Sequence, residues 1–253
     1  MKTGYKNVVL KFGGSVLKDE TGIIQAANLI ANLNQDYDIY AVVVSAMGKT
    51  TNNLEKLANK VAGTPRPREL DALLVTGEMQ SAALLSMALR CENIAAQSYN
   101  AQQFGIKASD NFGYATIESI NPPVAIYGEY APIPIVAGFQ RITKNGDFVT
   151  LGREGSDITA VAVANRLKAD FVWFFKNEGG ICDKDPNENP DAKLLDKISY
   201  QQMLDLLAQG RHQVLHKRSI ELAEQYNLPL FVSDIRKHTN GTLISSDTRG
   251  NSR

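Results

Sequence analysis

Four short polar segments carry the residue types of phosphate and carboxylate chemistry: Lys11-Phe12-Gly13-Gly14-Ser15, Ser45 to Asn52, Thr76-Gly77-Glu78, and Gly152-Arg153-Glu154-Gly155-Ser156-Asp157. The first joins a cation to two glycines, whose bare backbone can approach phosphate oxygens while a following helix aims its amide dipoles at the same point. Lys11 could neutralise charge on a phosphoryl group in transfer; a plain glycine turn is the competing reading. The second segment offers Lys49 and the hydroxyls of Ser45, Thr50 and Thr51. Thr51 falls near an expected helix start, where a Thr cap beside a solvated lysine would serve equally well. Glu78 follows Gly77 at a helix start, a place the dipole favours for any carboxylate. In the fourth segment Arg153 can grip a carboxylate through two parallel N–H bonds. Asp157 is either an ordinary first-turn acid or the organiser of Lys11. A cation, a hydroxyl and a carboxylate at one helix mouth suit an anionic substrate.

Strand-like runs rich in Val, Ile and aromatics occur at Asn7 to Phe12, Ile39 to Ser45, Val124 to Tyr127, Ile133 to Ala137, Phe171 to Phe175 and Pro229 to Val232. Helical patterns fall between most of them, at about Gly22 to Asn34, Asn52 to Val61, Met79 to Arg90, Asp157 to Leu167 and Tyr200 to Gln209. Such alternation predicts an α/β fold with a mainly parallel sheet covered on both faces, its ligands gathered at the carboxyl ends of the strands. Three of the four polar segments follow a strand-like run directly. Thr64-Pro65-Arg66-Pro67-Arg68 reads as a rigid basic connection, and Asn145-Gly146 as a hairpin turn between Ile142 and Phe148.

Composition narrows the function. At 253 residues and 43% hydrophobic content the chain can bury one sizeable core. Lys plus Arg and Asp plus Glu both total 27, so no global field draws it to nucleic acid or to an anionic membrane. No stretch approaches the ~20 apolar residues of a membrane span, and the N-terminal apolar run breaks at Lys11. Cys91 and Cys182 lack metal-ligand or disulfide-framework spacing, which fits a reducing cytoplasm. His212, His216 and His238 have no metal-ligand partners in sequence, although the first two would share a face of a helix; no metal site is expected. Gly48-Lys49-Thr50 imitates the end of a P-loop, but Val43 stands where that motif requires Gly.

The segments KFGGSV, VVVSAMGKTTNNL, ELDALLVTGEMQSAALLSMAL, VAGFQ, TLGREGSDITAVAVANRL, Asp185-Pro186, ISYQQMLDLLAQG and VLH together resemble aspartate kinase, in the amino acid kinase superfamily. The resemblance runs from about Asn7 to Ser246, in the family's order and with nearly its spacing. It implies a three-layer αβα sandwich forming a single domain over 1–246, with an amino-acid lobe at about 1–150 and a nucleotide lobe at about 151–246. A polar tail follows over 247–253. It implies transfer of the γ-phosphoryl group of ATP, with Mg²⁺, to the β-carboxylate of L-aspartate. Lys11 and Asp157 would then be catalytic, Asp157 positioning Lys11 and the reacting groups. Ser45, Thr51, Glu78, Arg153, Gly155 and Ser156 would hold aspartate, Glu78 on its amino group and Arg153 on its α-carboxylate. Lys11, Phe12, Gly13, Gly14, Lys176, Asn177, Cys182, Asp185, Pro186 and Gln213 would face the nucleotide. A homodimer through the kinase domain is implied as well.

Departures from the family pattern matter. The first motif is one residue shorter between the glycines and Ser15-Val16, and Glu154 stands where most members have Gly. On the nucleotide side Asn177 lacks the usual charge, Cys182 replaces a common aromatic, Asn187 a common Arg and Gln213 a frequent Lys, while Lys217 replaces Pro. These changes support an alternative expectation, an aspartate-binding regulatory protein with a degenerate nucleotide pocket. The chain stops just after Gly241-Thr242-Leu243-Ile244, where aspartate kinases continue into ACT domains, so control through such domains is not expected in it.

Overall fold

Val8, Val9, Leu10 and Phe12 make the first strand apolar on both faces, and it takes an interior place in the main sheet of the computed structural model. The structure describes residues 4–128, 130–152, 155–177, 179–184, 189, 191–209 and 214–246. In chain order the first half comprises β1 (Asn7–Phe12), α1 (Glu20–Leu33), β2 (Asp38–Val44), α2 (Thr50–Ala62), α3 (Pro67–Leu74), α4 (Thr76–Cys91), β3 (Ala96–Tyr99), β4 (Ile106–Ala108), β5 (Ile117–Ile120) and β6 (Ile133–Ala137). The second half comprises β7 (Gln140–Ile142), β8 (Phe148–Thr150), α5 (Gly155–Leu167), β9 (Phe171–Lys176), β10 (Lys197–Ile198), α6 (Tyr200–Ala208), α7 (Lys217–Tyr226), β11 (Leu230–Asp234) and β12 (Gly241–Ile244).

The eight-stranded sheet has the order β10-β12-β11-β9-β1-β2-β6-β3 and is parallel except where β12 runs antiparallel to β11. Side chains alternate across it. Val8, Leu10 and Phe12 join Trp173 and Phe175 under α1 and α4, whereas Val9, Val43, Val172 and Phe174 join α5, α6 and α7 on the opposite face. The result is three layers, as the alternating pattern predicts. α5 is buried from Gly155 through Ala164, because its small and β-branched residues are covered on all sides.

A second sheet, β5-β4-β7-β8, packs against α5 and is mostly antiparallel. Its β7-β8 hairpin turns at the expected Asn145-Gly146. Residues Val124–Ile126 form a 3-10 turn, not the strand their composition suggests: Pro122 and Pro123 precede them without N–H donors, and Val124 is exposed. The basic connection at 64–68 ends in α3, which starts with Pro67 at its first turn. Residues 214–216 are not helical, and His216 caps α7 through Nδ1, which accepts the Arg218 N–H at 3.3 Å. His212 lies outside the described residues.

α3 and α4 abut at Val75, giving a helical run from Pro67 to Cys91 of 25 residues that is long and apolar enough to cross a membrane, contrary to the expectation from sequence. Half of its most apolar stretch is buried inside this fold, against β3 and α1.

Gly138, just after β6, brings that strand against the start of α5: a Cβ there would lie 2.5 Å from the Ser156 Cβ and 2.8 Å from the Val44 carbonyl oxygen. Gly138→Ala must therefore push β6 and α5 apart. The expected loss is about 2 kcal/mol of stability in urea unfolding, the range of overpacked sites.

Candidate active site

Strand register places the first charged group. Lys11 shares its β1 face with Val9 and so points toward α5, whose first turn carries Asp157. Lys11 Nζ lies 2.6 Å from Asp157 Oδ1, and Lys176 Nζ, from the end of β9, lies 3.2 Å from Oδ2. All but Lys176 are almost wholly buried. Burial alone would raise the Asp157 carboxyl, but the Lys11 and Lys176 ammonium groups outweigh it and hold the carboxyl below its ordinary 3.8. Its contribution to stability is therefore in place above pH 3.8 and is lost as pH falls through the lower folded value.

The cluster opens into a cavity of about 610 Å³ at the carboxyl ends of β1, β2, β8 and β9. Gly13, Gly14, Ser45, Thr51, Gly155 and Ser156 are among its lining residues, so the structure brings all four polar segments together. Gly14 is required by closeness, since a Cβ would sit 2.5 Å from the Ala46 carbonyl oxygen, and its own carbonyl accepts the Gly48 N–H at 2.9 Å. Ser45 Oγ and Ser156 Oγ are 2.7 Å apart, joining β2 to α5. Thr51 lies in the first turn of α2; the cap position is Lys49, which makes no side-chain cap bond. α1 starts only at Glu20 and is capped by Asp19, so its dipole is not delivered to the glycines. The helix amino termini that reach the cavity are those of α2, α4 and α5.

Glu78 reaches the cavity from the first turn of α4, 4% exposed. Its Oε1 accepts the Ala46 N–H at 3.2 Å, and Oε2 is buried without a hydrogen-bond partner. Burial pushes its carboxyl up to about 7, against the opposing pull of the Ala46 N–H and Lys11. A buried oxygen facing a cavity without a donor is ready for a ligand cation.

Three contributors escaped the sequence reading. Asp71 of α3 is buried and accepts the Gly113 N–H at 2.8 Å, the Thr150 N–H at 3.0 Å and the Thr150 hydroxyl at 2.8 Å, fixing the end of β8. Arg218 donates to the Leu151 carbonyl at 3.0 Å while its guanidinium covers the Tyr114 ring at 4.5 Å. Phe139, after β6, forms part of the wall. Only the spacing of Asp71, two turns before Glu78 on one helical run, hinted at any of them.

A larger cavity of about 890 Å³ lies at the opposite, amino ends of β2, β3 and β6. Among the described residues no Lys or Arg lines it. Cations, hydroxyls and a helix amino terminus converge only on the smaller one, which is therefore the better anion site.

The sequence model of the Amino acid kinase family matches residues 6–234. The chain belongs to that family. Within it, the chain is 41% identical over 242 residues to aspartokinase 2 of Bacillus subtilis (strain 168), covering 95% of this chain and 59% of that protein. Among solved structures it is similar to the aspartate kinase from Synechocystis, with a TM-score of 0.82, 36% identity and coverage of 95% of this chain and 40% of that one. It is also similar to E. coli aspartokinase III in complex with aspartate and ADP, with a TM-score of 0.80, 25% identity and coverage of 97% and 66%. The chain thus spans about three fifths of the length of the curated relatives it matches.

Several positions expected on the nucleotide side also make contacts within the fold. Lys176, expected on the nucleotide side, has its ammonium in the Asp157 cluster. Phe12 turns away from the cavity and stacks on Phe175 with centroids 4.8 Å apart. Asn177 donates to the Ser15 carbonyl at 3.3 Å, tying the β9 turn to the glycine turn. Cys182 forms an isolated bridge with Leu194, and burial raises its thiol. Arg153, Glu154, Glu178, Asp185, Pro186, Asn187 and Gln213 lie outside the described residues.

Two outcomes follow from the carboxylates. Asp71→Ala leaves the Thr150 hydroxyl and two backbone donors unpaired, and is expected to lower stability by about 3 kcal/mol in denaturant unfolding. Glu78 has a folded value raised from 4.5 to about 7, so the folded state binds its proton more tightly and stability falls as pH rises between those values. Glu78→Gln removes that penalty: relative to wild type its melting temperature should rise from pH 5 to pH 8, a gain of roughly 3 kcal/mol at ~1.4 kcal/mol per pH unit.

Proposed function

We propose that the chain transfers the γ-phosphoryl group of ATP to the β-carboxylate of L-aspartate, forming an acyl phosphate. The observation that carries this reading is the buried Lys11-Asp157-Lys176 cluster opening onto a cavity lined by Ser45, Ser156 and Glu78. The similarity to aspartokinases supports it, as does the binding of aspartate and ADP by E. coli aspartokinase III.

Phosphoryl transfer spreads charge over oxygens and needs mainly positioning and cations. Asp157 orients two ammonium groups toward one point, and preorganised charge of this kind costs no rearrangement during the reaction. The acceptor carboxylate is already ionised near neutral pH, so no strong general base is required. Glu78 would hold the substrate ammonium, which lowers its carboxyl and completes the unpaired oxygen. The α5 amino terminus, Ser156 and Arg153 would hold the α-carboxylate, with Thr51 and Ser45 on the acceptor's other polar atoms. Lys11, Gly13 and Gly14 would meet the phosphates. Lys176 would serve with Lys11 on the transferring group.

Phe12 backbone, Asn177, Cys182, Asp185, Pro186 and Gln213 would border the nucleotide, within a lobe of about 151–246 that completes the 1–246 domain. Among the described residues no cluster of three His, Cys, Asp or Glu side chains could cage a metal. Asp157 is committed to two lysines. These residues fit Mg²⁺ carried on the nucleotide phosphates, where it would add positive charge to the transferring group. The free thiols Cys91 and Cys182 fit a reducing cytoplasm, and a homodimer is part of the proposal.

The test is hydroxylamine trapping of acyl phosphate with L-aspartate and Mg-ATP. Wild type should give signal, and Lys11→Ala and Asp157→Asn should each lose about 100-fold or more of it. Aspartate binding without any acyl phosphate would refute the kinase reading.

A further inference from the structure

The largest fully buried side chain in the described structure is a cation that the chemistry above does not use. Arg141, at the centre of β7, is 0% exposed. Its Nη1 donates to the Gln140 carbonyl, its Nη2 donates to Thr159 Oγ1 at 3.0 Å, and its Nε has no hydrogen-bond partner. A guanidinium carries five donors, of which only two are placed here. None of the ion pairs among the described residues includes it. Burial lowers its pKa to about 9, which still leaves it charged at neutral pH.

An uncompensated buried charge is costly, and a cation beside a helix amino terminus is opposed by the dipole as well. Arg141 meets both penalties, because Thr159 is in the opening turns of α5. The Thr159 hydroxyl donates its single proton to the Gly155 carbonyl at 2.9 Å, and its lone pairs accept the Phe139 N–H at 3.1 Å and Arg141. Phe139 and Gly155 are themselves cavity wall. The guanidinium thus lies directly behind the wall where an anion would dock, in a medium that screens charge poorly.

We propose that Arg141 is a specificity-determining residue: a water-excluded positive charge behind the α5 amino terminus whose counter-charge is the carboxylate of the bound acceptor. The inference rests on the acceptor reading of the cavity. Arg141 touches no substrate atom and acts through the Thr159-Gly155-Phe139 wall. It favours aspartate over its α-amide, isoasparagine, which lacks the α-carboxylate charge and differs little in shape.

The experiment compares wild type, Arg141→Met and Arg141→Lys in initial-rate kinetics, with calorimetric binding of L-aspartate and its α-amide, L-isoasparagine. Arg141→Met should raise the KM for aspartate about tenfold while the KM for Mg-ATP stays within twofold. Its affinity for aspartate should fall several-fold more than its affinity for isoasparagine, and Arg141→Lys should stay within about threefold of wild type. Arg141→Gln, which keeps a donor for Thr159, makes the same comparison if the Met variant does not fold. An unchanged KM for aspartate, an equal loss for both ligands, or a Lys variant as weak as Met would overturn the proposal. So would an Arg141→Met effect that disappears in a Glu154→Gln background, because the counter-charge would then be internal. Wild-type protein that binds no aspartate would instead refute the acceptor reading, so the two failures are distinguishable.

Discussion

A single carboxylate held between two ammonium groups sets the terms for the rest of this fold. Asp157 is buried, and Lys11 and Lys176 offset the cost of its charge. Their arrival is a matter of register. Lys11 on β1 pairs with Phe174 on β9, and Lys176 follows two residues later on the same strand face. Both therefore project toward α5, and a slip of one residue in that pairing would send one of them into the aromatic layer beneath α1. The long apolar strands around β1 make such a slip expensive, which is how core packing protects polar chemistry.

Much of this was legible from residue types and spacing. The buried strands Asn7 to Phe12, Ile133 to Ala137 and Phe171 to Phe175 announce themselves by continuous apolar runs, because both faces of a central parallel strand meet helices. The polar segments were readable for the opposite reason: glycine, lysine and hydroxyl residues at strand ends have few structural reasons to cluster. What could not be read was anything whose partner lies far away in sequence. Asp71 looks like a surface acid of an amphipathic helix until Gly113 and Thr150 fold onto it. The pairing of Lys176 with Asp157 does not show until β9 docks beside β1. Val124 to Tyr127 has strand composition but follows two prolines, and a sheet edge must supply donors those residues lack.

The small sheet was likewise invisible as a unit, since β4, β5, β7 and β8 have only three or four residues each. Its role is spatial. It covers the side of α5 that faces away from the main sheet, and just beyond β8 the Gly152 carbonyl accepts the Gly155 N–H at 3.1 Å. A helix covered on both sides can carry charged and polar groups at its first turn without fraying, because its position is decided by packing and not by its own hydrogen bonds.

The placement of β1 also bears on how the protein comes into being. This strand is made before both of its neighbours, one of which, β9, follows only after α5, and the partners of Lys11 and Asp157 are not all present until β9 has been synthesised. Until then β1 has an open, apolar edge, and the growing chain holds no assembled charge cluster. Assembly of the charge cluster is thereby tied to synthesis of β9, and in the interval before β9 emerges the open edge of β1 is exposed to mispairing.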